Sequence, residues 1–281
     1  MTSEVKVGPR TPCYLDRVIA PHSPGPMIRA LRQARRLSQE QLADRAEIST
    51  RHLSYLESGR AKPSHTMLLV LGSALDLPLR DRNTLLVAAG FAPVYRISPL
   101  EDPAMTHVHQ AISHFMRLHE PHPAILLDRA WNILRLNTGA MRVFAWCGLS
   151  LPTGGGPMNA LHAVFDPAMG LRACVVNFED LADAMLERLR TEADVDPALG
   201  DLLRDLERLR GPHRTRTVAT GVNPVAMPVH LRRGDEELRY FTTLTTLGTP
   251  LDVTAQELRI EGYFPMDEAT ERFARRLAGS A

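Results

Sequence analysis

Residues 37–63, LSQEQLADRAEISTRHLSYLESGRAKP, constrain the fold more than any other part of the chain. Their apolar side chains fall at helical spacing in two short runs separated by a corner. Ser38 can accept from the unpaired N–H groups of a first helical turn, and Gln41 three residues on completes a capping box. Leu42, Ala43 and Ala46 then make one apolar stripe, on which the small Ala43 lets another helix approach closely. Ala46-Glu47-Ile48 turns the chain, with Ile48 placed to plug the corner. Ser49 caps again, Leu53 and Leu56 point inward at i, i+3 spacing, and Ser58-Gly59 ends the second helix. Thr50, Arg51, Ser54 and Tyr55 are left facing outward. A short helix that displays hydroxyls and a guanidinium, fixed at an angle on a first helix, is what reading base edges in the major groove of DNA requires.

The pattern resembles the XRE, or lambda-repressor-like, helix-turn-helix DNA-binding domains. The matching residues are Ser38-Gln39-Glu40-Gln41-Leu42-Ala43, Ile48-Ser49, Leu53-Ser54-Tyr55-Leu56-Glu57-Ser58-Gly59 and Lys62-Pro63, within five helical segments over residues 27–79. Glu47 stands where the family usually has glycine, which puts the geometry of the corner in question. The DNA-binding residues expected on this reading are Gln39, Ser49, Thr50, Arg51, Ser54, Tyr55, Arg60 and Lys62. Arg51 is the best placed for a bidentate contact to guanine, with Gln39, Arg60 and Lys62 on phosphates. The resemblance also implies that Arg32 pairs with Glu57 beneath that face.

Charge supports this placement. The 281 residues carry a net charge of only +1. Between residues 27 and 62, however, Arg29, Arg32, Arg35, Arg36, Arg45, Arg51, Arg60 and Lys62 oppose Glu40, Asp44, Glu47 and Glu57. A basic patch on a nearly neutral chain favours phosphate contact at one face. The length suits two domains, and the 44% hydrophobic content supplies their cores. No apolar run approaches a membrane span, and residues 1–25 lack a signal-peptide core and read as a flexible arm. Cys13, Cys147 and Cys174, an odd number without C-x-x-C spacing, read as free thiols in a reducing cytoplasm.

Residues 26–90 form the expected helical domain, and residues 91–103, interrupted by Pro93, Pro99 and Pro103, form a linker. Residues 104–281 read as an α+β domain with an antiparallel sheet. A helix over 103–119 is followed by a hairpin of strands 124–127 and 131–136, joined by Asp128-Arg129-Ala130. Asn137 caps a helix reaching Trp146. Helices are expected at 158–165, 178–193 and 197–209, strands at 225–231, 237–247 and 257–263, and a final helix at 267–277.

This half resembles the MmyB-like ligand-binding domain, which its family joins to an XRE helix-turn-helix in the same order. The resemblance rests on Gly90-Phe91-Ala92-Pro93-Val94-Tyr95, His122-Pro123-Ala124, Asp128-Arg129-Ala130-Trp131-Asn132, Val176-Asn177-Phe178 and the block 243–261, TLTTLGTPLDVTAQELRIE. It implies a PAS-like fold whose cavity suits a hydrophobic small molecule such as a fatty acid. From the residues alone, an ordinary packed core competes with a pocket lined by Trp131, Asn137, Met141, Phe144, Phe178, Thr242 and Thr245, where flexible Met141 and Met185 could adapt to a ligand.

Catalytic and metal patterns fail on spacing. His119-Glu120-Pro121-His122 places its histidines three apart with a proline between, and His107 and His109 point to different helix faces. Gly154-Gly155-Gly156 is followed by no Lys-Ser or Lys-Thr, and no G-x-S-x-G occurs. The expectation is therefore a DNA-binding transcription regulator rather than an enzyme, with no cofactor or metal. It would be a homodimer on a double-stranded operator and would answer to a hydrophobic effector. The competing expectation is constitutive DNA binding, with a C-terminal domain serving only oligomerisation or protein interaction.

Overall fold

Five helices follow one another between Pro24 and Ala88 in the computed structural model, which describes residues 24–149, 158–211 and 228–279. They are α1 (Pro24–Ala34), α2 (Gln39–Arg45), α3 (Thr50–Glu57), α4 (His65–Ala74) and α5 (Leu79–Ala88). Ser38, Ser49 and Ser64 cap α2, α3 and α4, their hydroxyls accepting from the N–H of Gln41, His52 and Met67 at 3.0, 3.1 and 3.2 Å. Gln41 Oε1 in turn accepts from the Ser38 N–H at 2.8 Å, so the capping box is complete. Ile28, Leu42, Leu53, Leu56, Leu68, Leu71 and Leu85 form the core of this unit. A Cβ on Gly25 would lie 2.4 Å from the Leu56 carbonyl oxygen, so α1 meets the end of α3 at a distance only glycine permits.

The second unit is built on a five-stranded antiparallel sheet. After a single turn at Pro103–Met105 come α6 (Thr106–Leu118), β1 (Ala124–Leu127), β2 (Ile133–Leu136), α7 (Thr138–Cys147), α8 (Ala160–Phe165), α9 (Phe178–Val195) and α10 (Gly200–Arg210). Then follow β3 (Pro228–Arg233), β4 (Glu236–Thr246), a short helix α11 (Val253–Glu257), β5 (Arg259–Pro265) and α12 (Glu268–Gly279). The strand order is β2-β1-β5-β4-β3. Ile125 pairs with Leu136, Ala124 with Gly262, Leu244 with Glu261 and Pro228 with Phe241. Strand β1 is buried at all four positions, and α6 and α7 pack against it.

Two expected strands begin two residues later than the sequence suggested. Strand β2 begins at Ile133 rather than residue 131, because Trp131 adopts a left-handed φ of 65°. Asp128 holds the preceding turn, its Oδ1 accepting from the N–H of Ala130 and Asn132 at 2.8 and 2.9 Å. Strand β5 begins at Arg259 rather than 257, since α11 occupies the residues before it. Residues 225–227 of the strand expected at 225–231, the arm up to residue 23, Cys13 and Gly154–Gly156 lie outside the described residues.

Residues Gly248–Gln256, expected within the C-terminal domain, belong by packing to the helical unit. Helix α5 follows Pro78 and has no side-chain cap from its own neighbourhood. Gln256 supplies one, its Oε1 accepting from the Leu79 N–H at 2.7 Å. Asp252 accepts from the N–H of Thr254 at 2.8 Å with one oxygen and from the N–H of Ser98 at 3.1 Å with the other. The Val253 N–H donates to the Arg96 carbonyl at 2.9 Å, and the Val253 side chain is fully buried. On α5, buried Asn83 accepts from the N–H of Val94 and Tyr95 at 3.0 and 2.9 Å and donates to the Tyr95 carbonyl at 2.6 Å. Side chains, more than the prolines, therefore fix the path of the first half of the linker.

Candidate DNA-reading face and ligand cavity

Helix α3 buries Leu53, Leu56 and Glu57 and leaves Thr50, Arg51 and His52 exposed, with Ser54 and Tyr55 half-buried beside them. Arg51 Nε donates to the Tyr55 hydroxyl at 3.0 Å, and its guanidinium carbon lies 5.4 Å from the Tyr55 ring centroid. Tyr55 thus braces the Arg51 guanidinium and restricts its rotamers. Exposed Ser49 spends its hydroxyl on the cap, while Arg60 and Lys62 are exposed just past the end of α3. Exposed His52 lies beside Arg51, a position the sequence did not single out. Its signal was the inward pair Leu53 and Leu56, which leaves position 52 on the outer side of the helix.

Beneath this face, Arg32 and Glu57 form a two-pronged pair, with Nε to Oε1 at 2.7 Å and Nη2 to Oε2 at 3.0 Å. Arg32 Nη1 also donates to the Leu37 carbonyl at 2.6 Å. Gln39 Nε2 donates to Glu57 Oε2 at 2.8 Å, so the amide expected on a phosphate is tied into the buried pair. Burial pushes the Glu57 carboxyl up, but hydrogen bonds from Arg32 and Gln39, with the Arg32 charge, outweigh it and leave the group below its ordinary range.

At the corner, Glu47 adopts a φ of 52°, while the Ile48 N–H donates to the Ala43 carbonyl at 3.0 Å. The left-handed conformation penalises a residue with a Cβ. Glu47→Gly should accordingly raise the stability of the helical unit by about 0.5–1 kcal/mol, the relief of strain exceeding the added freedom of the unfolded chain. Urea denaturation of both proteins checks this, and a loss of stability would mean that the corner carries no strain.

In the second unit a cavity of about 30 Å³ lies among side chains from β1, β2, α7, α8, α9 and β5. Trp131, Phe144, Leu161, Met185 and Tyr263 are among its walls, and Glu261 is the only charged lining residue among the described residues. The Trp131 indole N–H donates to Glu192 Oε2 at 3.0 Å. The guanidinium carbons of Arg188 and Arg259 lie 5.2 and 5.3 Å from its ring centroid, and both arginines also bond Glu192. Burial pushes the Glu261 carboxyl up to about 7, against weaker downward pulls from the Thr242 hydrogen bond and the Arg188 charge.

Residues 108–277 match the family described as the MmyB-like transcription regulator ligand binding domain. The chain belongs to this family. Residues 25–85 match a helix-turn-helix domain family, so the MmyB-like chain couples a DNA-binding module to a ligand-binding one. A comparison with curated proteins found no match. Among solved structures, an RNA-binding light-oxygen-voltage receptor aligns over 96% of this chain and 68% of its own, at 10% identity and a TM-score of 0.29. No helix among the described residues is long and apolar enough to cross a membrane.

Within the MmyB-like domain, Trp131, Phe144 and Met185 line the cavity, whereas five other residues expected there do not. Asn137 is consumed structurally: Oδ1 accepts from the N–H of Ala124 and Ala140 at 2.9 and 2.8 Å, and Nδ2 donates to the His122 carbonyl at 2.8 Å. Phe178 packs edge-on to Phe165 and beneath Arg172, and Met141 is half-buried elsewhere on α7. Thr242 hydrogen-bonds Glu261 without lining the cavity itself, and Thr245 is exposed. Three residues apart on one strand, these two threonines must face opposite sides. Cys147 and Cys174 are both buried and free, and the fold brings their sulfurs to 2.8 Å.

Proposed function

We propose that this protein is a sequence-specific regulator that reads a double-stranded operator through α3 and changes its operator affinity when an apolar small molecule enters the cavity. The observation that carries this reading is a cavity with apolar walls and, among the described residues, one carboxyl, within a domain of a ligand-binding family. A domain serving only to oligomerise needs no such anchor. Fatty acids are the ligand chemistry that the family resemblance suggests. The cavity of about 30 Å³ is far below the roughly 300–1,000 Å³ of drug-sized sites, so ligand entry would have to move its walls, Met185 first. The strands flanking the cavity supply a route for the response. Strand β4 runs into Gly248–Gln256 and the chain returns through β5, so the segment that caps α5 is anchored at both ends in the sheet.

On DNA, one short helix covers about half an operator, and a homodimer on half-sites about 34–36 Å apart would complete it. Arg51→Ala is expected to cost about 1–3 kcal/mol at one base position and little on nonspecific DNA. Equal weakening on every sequence would instead make Arg51 a phosphate contact.

Linkage supplies the test of sensing, because a ligand that shifts DNA affinity must have its own affinity shifted by the same factor. Small molecules extracted from the purified protein and identified by mass spectrometry would be titrated into free protein and into the protein–operator complex. Different affinities support the switch, and equal affinities overturn it.

A further inference from the structure

The cavity raises a question of charge that apolar packing does not answer. Glu261 sits in the middle of β5, opposite Leu244 in the neighbouring strand, and is the only charged residue among the described cavity walls. A carboxylate can accept about four hydrogen bonds, and the side-chain donor it meets here is the Thr242 hydroxyl. Arg188 attracts it but spends its Nε on Glu192, at 3.0 Å, and lays its guanidinium over Trp131. The carboxyl therefore retains accepting capacity toward an apolar chamber.

We propose that the cavity binds an aliphatic amine, with Glu261 accepting from its ammonium and the hydrocarbon chain lying along Trp131, Phe144 and Met185. The proposal rests on the ligand-sensing reading and narrows its chemistry. An ammonium brings three donors and the opposite charge to the half-buried Glu261 carboxylate, so ligand and protein each neutralise the other's charge. A fatty-acid head would bring a second carboxylate beside Glu261, and one of the two would have to take up a proton. The thioether of Met185 lets the apolar wall adapt to chain length. Other ionisable groups near the cavity among the described residues are Tyr263 and Arg259 on β5, Arg188 and Glu192 on α9 and the buried Cys147 thiol on α7, and Arg259, Arg188 and Glu192 are bound to one another around Trp131.

Calorimetric titration of the full chain at pH 7 with octylamine, 1-octanol and octanoate tests this. Octylamine should bind saturably and at least tenfold more tightly than octanoate. Run in buffers of different ionisation enthalpy, its binding should release about half a proton, because Glu261 is near the midpoint of its titration. In Glu261→Gln both the preference for the amine and the proton release should disappear. Octanoate binding as tightly as the amine, or proton uptake with the amine, would overturn the proposal while leaving ligand sensing intact. Absence of saturable binding by all three probes would also overturn it, and the operator-linkage titration with extracted ligand would then judge sensing separately. Should Glu261→Gln fail to fold, proton release by the unmodified protein decides on its own.

Discussion

Arg32→Ala should destabilise the helical unit by about 3 kcal/mol, since removing one partner strands a buried carboxylate. Glu57 is 5% exposed and keeps only the Gln39 donor at 2.8 Å once the guanidinium is gone. The Leu37 carbonyl loses its Nη1 donor at the same time. Hydrogen exchange in the full-length protein, followed at α1 and α3, would register the change as accelerated exchange of on the order of a hundredfold. Unchanged exchange together with weakened DNA binding would mean that Arg32 serves DNA instead. The pair also sets an acid limit. Because the Glu57 carboxyl is held below its ordinary value, its contribution is complete above that value and is lost as pH falls through the depressed one.

Glu261 should impose the opposite pH dependence on the sheet unit. Its carboxyl is raised from an ordinary 4.5 to about 7, so the folded state holds the proton more tightly than the unfolded chain does. The contribution of this group is most favourable below pH 4.5 and declines as pH rises toward 7, by about 3 kcal/mol in all. Glu261→Gln should remove that decline, so that the variant gains on the parent as pH increases. Thermal melts of both proteins across this interval isolate the effect from other titrating groups. A constant difference between the two would mean that the carboxyl is well solvated, and the cavity assignment would lose its anchor.

The helical unit was largely legible in the sequence because its signals are local. Ser38, Ser49 and Ser64 announce helix starts by chemistry that acts over three residues, and Leu53 and Leu56 fix the inner face of α3. Asn137 was legible as a cap for the same reason, which also argued against its use as a pocket residue. What escaped was long-range. Gln256 caps a helix whose first residue is 177 positions away, and no local pattern marks that partnership. Glu261 escaped because a lone carboxylate in an alternating strand ordinarily reads as the solvent side. Its period-two neighbour Tyr263, which is 8% exposed and lines the same cavity, was the available clue. Trp131 was placed in a strand by its alternation, whereas its left-handed backbone follows from the Asp128 turn.

The late arrival of Gly248–Gln256 also matters to the ribosome. The five helices and the linker are synthesised by residue 105, yet the segment that completes their unit comes about 150 residues later. At translation rates of about 5–20 residues per second, that delay lasts roughly 8–30 s. During it the Leu79 N–H lacks Gln256, and the Arg96 carbonyl and Ser98 N–H lack their partners at Val253 and Asp252. A nascent chain therefore acquires its finished DNA-reading unit only as β4 gives way to β5, at the moment the cavity's carboxyl is being added. Molecules cut short before that point would carry the helix-turn-helix on an incompletely capped scaffold and no Glu261.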